Sequence, residues 1–190
     1  MNKHIFLVIS MFAIFCSVIR PSWAQENPQN SIKVTLLSLG SGSARFTYER
    51  AIDNTNSVEF TLGVIGWGWD VMNDADPSGI LIKTAYKYNL LPLHDMALAG
   101  LYSKSEFVYA DFDYIDPEMN SNATQHVSRC AILEEFGYQL IVKWFTLDVY
   151  AGLGPTFGSS ASNNYYHSFM LFPVKSHLAF TAGFRIGVAF

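Results

Sequence analysis

The chain has 190 residues, a formal net charge of −4 and a hydrophobic content of 50%. This length suits one domain, and the acidic balance disfavours nucleic acid as a partner and leaves no basic patch for an anionic lipid surface. A hydrophobic content this high needs an explanation, and alternating strands that face lipid would supply one.

The N-terminal residues have the pattern of a secretory signal peptide. Lys3 supplies a positive charge, an apolar run occupies residues 5–19, and a Ser-Trp-Ala tripeptide then offers small residues for cleavage. A run of about 15 residues is shorter than the stretch of about 20 that a transmembrane helix needs. We therefore predict a signal peptide over residues 1–24 and a mature domain over residues 25–190, with Cys130 as its single cysteine and no helical span.

Eight strand-like segments follow, separated by turn-rich connections. Most have close to the nine to eleven residues that a tilted strand needs to cross a bilayer. Short and long connections alternate along the chain, as turns and surface loops do in bacterial barrels. The pattern predicts an all-β fold, an eight-stranded antiparallel up-and-down transmembrane β-barrel. The predicted segments are 32–39, 44–52, 58–66, 80–90, 96–109, 126–142, 145–156 and 177–190.

The last segment shows the alternation most clearly. Side chains on a strand point to opposite faces in turn, so one face of this segment is apolar and the other is small or polar. We predict that the apolar face meets lipid and that Arg185, on the other face, points inward. The apolar face carries Phe180, Phe184, Ile186, Val188 and Phe190.

Charges of both signs occupy the predicted inward faces. Such charges are costly unless they meet each other, and an eight-stranded interior is just wide enough for side chains to fill. We therefore predict a packed network of ion pairs and no continuous pore. Glu134 and Glu135 are adjacent, so both could face inward only with a β-bulge. The predicted members are Arg45, Glu49, Glu59, Lys83, Lys87, Glu135, Asp148 and Arg185.

Aromatic residues cluster near the predicted segment ends, as the girdles of a membrane barrel do. The group predicted at the periplasmic rim is Tyr48, Tyr86, Tyr88, Tyr138, Trp144, Phe145 and Phe190. The group predicted at the outer rim is Trp67, Trp69, Tyr102 and Tyr109.

Together these features resemble the small eight-stranded outer-membrane barrels, and are similar to the OmpA transmembrane domain and the OmpX-like proteins. The terminal Phe-Arg-Ile-Gly-Val-Ala-Phe pattern looks like the signal read by the barrel assembly machinery, which would recognise Phe184, Ile186, Val188 and Phe190. The resemblance implies an integral outer-membrane protein of a Gram-negative cell that contacts membrane lipid and lipopolysaccharide. We expect a structural role or interaction through surface loops, with no enzymatic activity and no cofactor.

Two alternatives stay open. His126 and Ser128 share a strand face, and with Glu134 or Glu135 as the orienting carboxylate they would form a hydrolase site. A similar His-x-Ser occurs in lipid A deacylases of the PagL type, although Arg129 follows here where that motif has asparagine. The second alternative is a periplasmic lipocalin-like barrel, in which the faces are reversed and the apolar side of the last segment lines a cavity.

The long connections hold further candidates for binding. Oxygen ligands for Ca²⁺ occur in two of them, although neither has the spacing and turn glycine of a calcium loop, so no metal site is expected. A run of aromatic residues in the last connection would either bind a sugar or protein partner or extend the outer girdle. The acidic groups are Asp70, Asn73, Asp74 and Asp76, then Asp111, Asp113, Asp116 and Glu118, and the aromatic run is Tyr165, Tyr166, His167 and Phe169.

Overall fold

The computed structural model describes residues 27–70, 76–94, 96–115, 124–158 and 178–190. The predicted signal peptide lies outside these residues. Within them, no helix is long and apolar enough to cross a membrane. In chain order the elements are β1 (Asn30–Thr35), α1 (Leu37–Gly40), β2 (Ser41–Ala51), β3 (Asn56–Asp70), β4 (Ser78–Leu93), β5 (Met96–Ile115), β6 (Thr124–Val142), β7 (Phe145–Gly158) and β8 (Leu178–Ala189).

The eight strands form one closed barrel in which each strand is antiparallel to its neighbours in sequence. Closure comes from the pairing of β1 with β8, where Ser31 lies opposite Ala189 and Thr35 opposite Arg185. At the end of this seam the backbones of Asn30 and Phe190 exchange hydrogen bonds of 2.9 and 2.8 Å. The predicted eight-stranded antiparallel up-and-down barrel is confirmed, and the first and last strands begin and end at the same rim.

The stagger between strands determines the width of the barrel. A path across directly paired residues leads from Asn30 through the other strands to Phe180 on β8. Asn30 itself pairs with Phe190, so one circuit shifts the register by ten residues. In an eight-stranded barrel with such a stagger the strands tilt by about 40° and side chains fill the interior.

Several boundaries differ from the prediction. β1 ends at Thr35 because the chain turns into α1, where the Ser38 hydroxyl donates to the Thr35 carbonyl at 2.8 Å. The Gly-Ser stretch that followed the first predicted segment is therefore a helix end and the start of β2, which carries a register shift between Ser41 and Ser43. β5 and β6 pair without interruption up to Ile115 and Thr124, so this hairpin extends further than the alternation indicated.

The interior has three layers, which can be followed along the inward side chains of β5. Residues 97–99 belong to an apolar cluster at the rim near the chain ends, which also holds Ala51, Ile141 and Ala189. Lys104 and Glu106 then lie in a charged middle layer. Beyond them an apolar cluster fills the other end with Ile65, Leu81, Val108, Ala110, Phe112, Tyr114, Val127, Ala131, Leu133 and Ala179.

Candidate functional site

The charged middle layer is organised around Lys33, which is fully buried on β1. Its ammonium nitrogen lies 2.8 Å from Glu49, 2.6 Å from Glu59 and 3.1 Å from Asp148. It also donates to the Gln139 side-chain oxygen at 2.9 Å. Residues from five strands therefore meet at one ammonium group.

Lys104 on β5 is a second centre in the same layer. Its ammonium nitrogen lies 3.0 Å from Glu59, 3.1 Å from Glu106 and 2.8 Å from Glu135. The Glu135 contact is close but poorly directed, since neither Glu135 oxygen has a well-aligned hydrogen-bond donor. Lys83 pairs with Glu106 at 2.5 Å, so two cations flank that carboxylate.

Arg185 on β8 joins the two centres. Its guanidinium contacts Glu59 at 3.0 Å and Asp148 at 2.9 Å, and it stacks 4.5 Å from the centre of the Tyr150 ring. The Tyr102 hydroxyl donates to the second oxygen of Asp148 at 2.7 Å. The ion pairs are thus one connected network.

This network stabilises the closed barrel because its buried acids and cations compensate each other. Moving an ion into a low-dielectric interior costs several kcal/mol per ion, which pairing must offset. Each inward acid of the described strands lies against at least one cation. Apolar clusters lie on both sides of this layer, and its charged groups are partnered by each other.

All eight residues predicted for the interior lie inside the barrel and are buried. Arg185 contacts Glu59 and Asp148, two acids of the predicted interior network. Arg45 lies further along the barrel, where its Nε donates to the Ser43 hydroxyl at 3.1 Å.

Sequence reasoning missed three charged members of the network, Lys33, Lys104 and Glu106. Lys33 stands between Ile32 and Val34, an alternation that does indicate an inward side chain. On β5 the alternation is obscured because Ser103 and Ser105 make the outward face polar as well.

Tyr102 was predicted in the outer aromatic girdle, and this is wrong. It shares a strand face with Lys104 and is completely buried in the interior, where Asp148 satisfies its hydroxyl. The predicted rim residues Tyr48, Tyr86, Tyr88, Tyr138, Trp144 and Phe145 do point outward and are exposed. The hydroxyls of Tyr48 and Tyr86 donate to Asn30 and Asn56 at 2.7 Å.

The outer wall of the barrel is mainly apolar, in contrast to the charged middle layer of its interior. Aliphatic and aromatic side chains are exposed around the whole circumference, among them Phe60, Leu62, Ile80, Phe107, Ile132, Phe136, Val149, Leu153 and Phe157. The predicted assembly-signal residues Phe184, Ile186, Val188 and Phe190 also lie on the outward side of β8 and beyond it.

The His126 and Ser128 pair lies on the outside of the barrel, at the outer end of β6. The His126 Nδ1 lies 2.8 Å from Asp113, and this hydrogen bond raises the pKa of the imidazole above its ordinary value. Nε2 of the same ring lies 3.7 Å from Asp111. The Ser128 hydroxyl donates to the Tyr109 hydroxyl at 3.3 Å.

The carboxylates predicted to orient His126 are not its partners. Glu135 points into the barrel, on the other side of the wall. Glu134 shares the outward face but lies eight residues away, about 26 Å along an extended strand. The predicted arrangement with Glu134 or Glu135 is therefore wrong, and the carboxylate that lies against His126 is that of Asp113.

The proposed loop sites fall largely outside the described residues. These include Asn73, Asp74, Asp116, Glu118, the aromatic run Tyr165, Tyr166, His167 and Phe169, and the Asp70 side chain. Within the described part of the chain, no group of three histidine, cysteine or acidic side chains is arranged to hold a metal ion.

Comparison with known proteins gives a likeness of fold. A scan against family models and a search of curated proteins each found no match. Among solved structures, the N-terminal β-barrel domain of Pseudomonas aeruginosa OprF aligns with 87% of this chain and 100% of its own, at 12% identity and a TM-score of 0.48.

Proposed function

We propose that this chain is an integral protein of the Gram-negative outer membrane, with a structural or surface-interaction role and without conductance or enzymatic activity. The observation that carries the proposal is the reversed distribution of polarity in the barrel. Lys33, Lys104 and Glu135 are buried inside, whereas Phe136, Leu153 and their neighbours are exposed outside. A protein in water has the opposite preference.

The outward aromatic side chains support the same location. Tyr86, Tyr88 and Tyr138 lie toward the rim that holds the chain ends, whereas Trp69 lies toward the other rim. Rings at both edges of an apolar wall suit the two interfaces of a bilayer. The wall between them would contact lipid and lipopolysaccharide.

The lipocalin-like alternative required the opposite face assignment and is contradicted. Arg185, Thr181 and Gly183 point inward on β8, so the apolar residues of that strand line the outside. The middle of the described interior is occupied by charged side chains, which does not suit an apolar ligand. The same filling supports a barrel that does not conduct.

The location is tested by cell fractionation together with electrophoresis of unboiled and boiled samples. We expect the protein in the outer-membrane fraction and a change in mobility on boiling, because a closed barrel resists detergent until it is heated. A soluble periplasmic protein whose mobility is unaffected by heating would contradict the proposal. Depletion of the barrel assembly machinery should reduce the folded form.

A lipid A hydrolase is the second candidate, and the hydrogen bond between His126 and Asp113 is the observation that favours it. A histidine held by a carboxylate is a recurrent general base, and Ser128 shares its face. Overexpression would then change the acylation of lipid A, and Ser128→Ala would abolish the change. Unaltered lipid A in cells that overproduce the protein would exclude this activity.

A further inference from the structure

The outer wall contains one feature that does not suit lipid contact. Among the described strand residues, Glu134 is the one charged side chain that faces outward away from a strand end. On β6 it lies four residues from Tyr138 in one direction and four from the paired Cys130 and Tyr109 in the other. It is therefore near the middle of the apolar wall, where ionisable groups are expensive and mark functional surfaces.

Small polar side chains of β5 surround this carboxyl group. Ser103 and Ser105 donate hydrogen bonds of 2.5 and 2.6 Å to its two oxygens. Glu134 is paired with Ser105 on β5 and with Leu153 on β7. No charged group therefore faces it from either adjacent strand. Each oxygen keeps a second direction free toward the outside, since a carboxyl oxygen accepts in two directions.

A groove lies on one side of this patch, and two exposed apolar side chains lie on the other. The groove has a volume of about 690 Å³ and extends from β2 to β6. Its outward lining includes Arg50, Phe60, Thr84, Tyr86, Ser105 and Ile132. Phe136 and Leu153 do not line the groove and are each more than half exposed.

We infer that this patch and its groove form an interface with a second copy of the chain within the membrane. The inference rests on the proposed membrane location. Two copies in one membrane share an orientation, so a two-fold axis along the membrane normal places identical residues opposite each other at equal depth. With the axis at Ser105 and Glu134, the groove of each copy receives Phe136 and Leu153 of the other.

The polar groups are complementary under the same symmetry. Across the axis the two Glu134 carboxyl groups meet at one depth, and a facing pair of carboxyl groups joins through two reciprocal O–H···O hydrogen bonds. These bonds use the outward direction of each oxygen, while Ser103 and Ser105 keep the inward one. The pair leaves no carboxyl group exposed to lipid.

Arg50 is an exposed cation that lines the groove. It precedes the last residue of β2 at the rim, whereas Glu134 lies near the middle of the wall, so the two groups are not at the same depth. Small residues such as Ser103, Ser105 and Thr84 allow two membrane surfaces to approach closely, and polar side chains add hydrogen bonds between them. Both properties favour a self-complementary contact.

Association is tested in dimyristoylphosphatidylcholine vesicles by energy transfer between two labelled populations of the full barrel, with labels attached at K143C in a C130S background. We expect E134L to weaken association by about tenfold, as loss of one polar pair in a membrane interface does. E134Q should keep it, because two amides also form reciprocal hydrogen bonds. Equal association of wild type and E134L would overturn the inference.

Cross-linking gives an independent measurement. In the C130S background, S105C should form disulfide-linked dimers in vesicles, whereas A182C, on the outward face of β8 at a comparable depth, should not. Equal cross-linking at the two positions would contradict the interface. Heat-dependent mobility is recorded for every variant: a wild type that does not insert overturns the proposed function, whereas an inserted wild type that stays monomeric overturns this inference alone.

Discussion

Glu134 and Glu135 are neighbours in the chain and lie in opposite environments. Glu135 is buried in the interior, 2.8 Å from the ammonium group of Lys104, in a layer where acids and cations alternate. Glu134 is on the outer wall, bound by two serine hydroxyls and flanked by apolar side chains. The comparison teaches that a carboxyl group in this barrel is stabilised by its partners, and that the two faces supply partners of different kinds.

The largest effect is expected at the centre of the interior network. Lys33→Met removes the cation that three carboxylates share and leaves them buried without it. We expect a loss of about 3–5 kcal/mol in the free energy of unfolding, the usual result when one partner of a buried pair is removed. Urea titration in lipid vesicles measures it, and Lys143→Met in a turn is the matched control. Equal midpoints for the two variants would contradict a structural role for the network.

The comparison between the two glutamates is tested by the same substitution at each. Glu135→Leu removes one of the three acids that surround Lys104. It should lower the free energy of unfolding by about 1–3 kcal/mol. Glu134→Leu extends an apolar wall and should change it by about 0–1 kcal/mol in the stabilising direction, measured at high lipid excess where copies are separated. Destabilisation of similar size at both positions would remove the distinction between the faces.

A smaller loss of stability is expected when the neutral hydroxyl of Tyr102, which is bonded to the network, is removed. Tyr102→Phe deletes the hydroxyl that donates to Asp148 inside the barrel. Hydrogen bonds to charged groups contribute about 1.5–3 kcal/mol, and we expect a loss at the lower end because Asp148 keeps Lys33 and Arg185. Tyr48→Phe, which deletes an exposed hydroxyl on the outer wall, is the control and should have less effect on the urea midpoint.

The smallest effect concerns the turn between β2 and β3. Asp53 accepts hydrogen bonds from the backbone of Thr55 and Asn56 at 2.8 Å, and these lower the pKa of the carboxyl to about 2. A depressed pKa in the folded state stabilises the protein above the ordinary pKa of the carboxyl, 3.8, and this stabilisation is lost as the pH falls toward 2. The difference in unfolding free energy between wild type and Asp53→Asn should therefore shrink over this range. A difference that is independent of pH would contradict the role of the turn.

The fold was predictable because alternation and connection length are local properties. Most segments carry their own period-two pattern, and the final strand shows it without interruption. The limits of β1 and of the β5–β6 hairpin were less predictable, since the α1 turn and a hairpin beyond the apolar wall have weak local patterns. Tyr102 was misplaced because Ser103 and Ser105 make the outward face of β5 polar, like the inward face that carries Lys104.

By itself the sequence determined that the barrel has eight strands, that most inward faces are charged and that most outward faces are apolar. These are properties of successive residues, which alternate between two faces of a strand. Only the tertiary structure decided which charges meet, because closure and stagger bring Lys33 to Asp148 across 115 positions of the chain. It also decided between the two glutamates: the β5–β6 register has no bulge, so Glu135 turns inward and Glu134 faces outward.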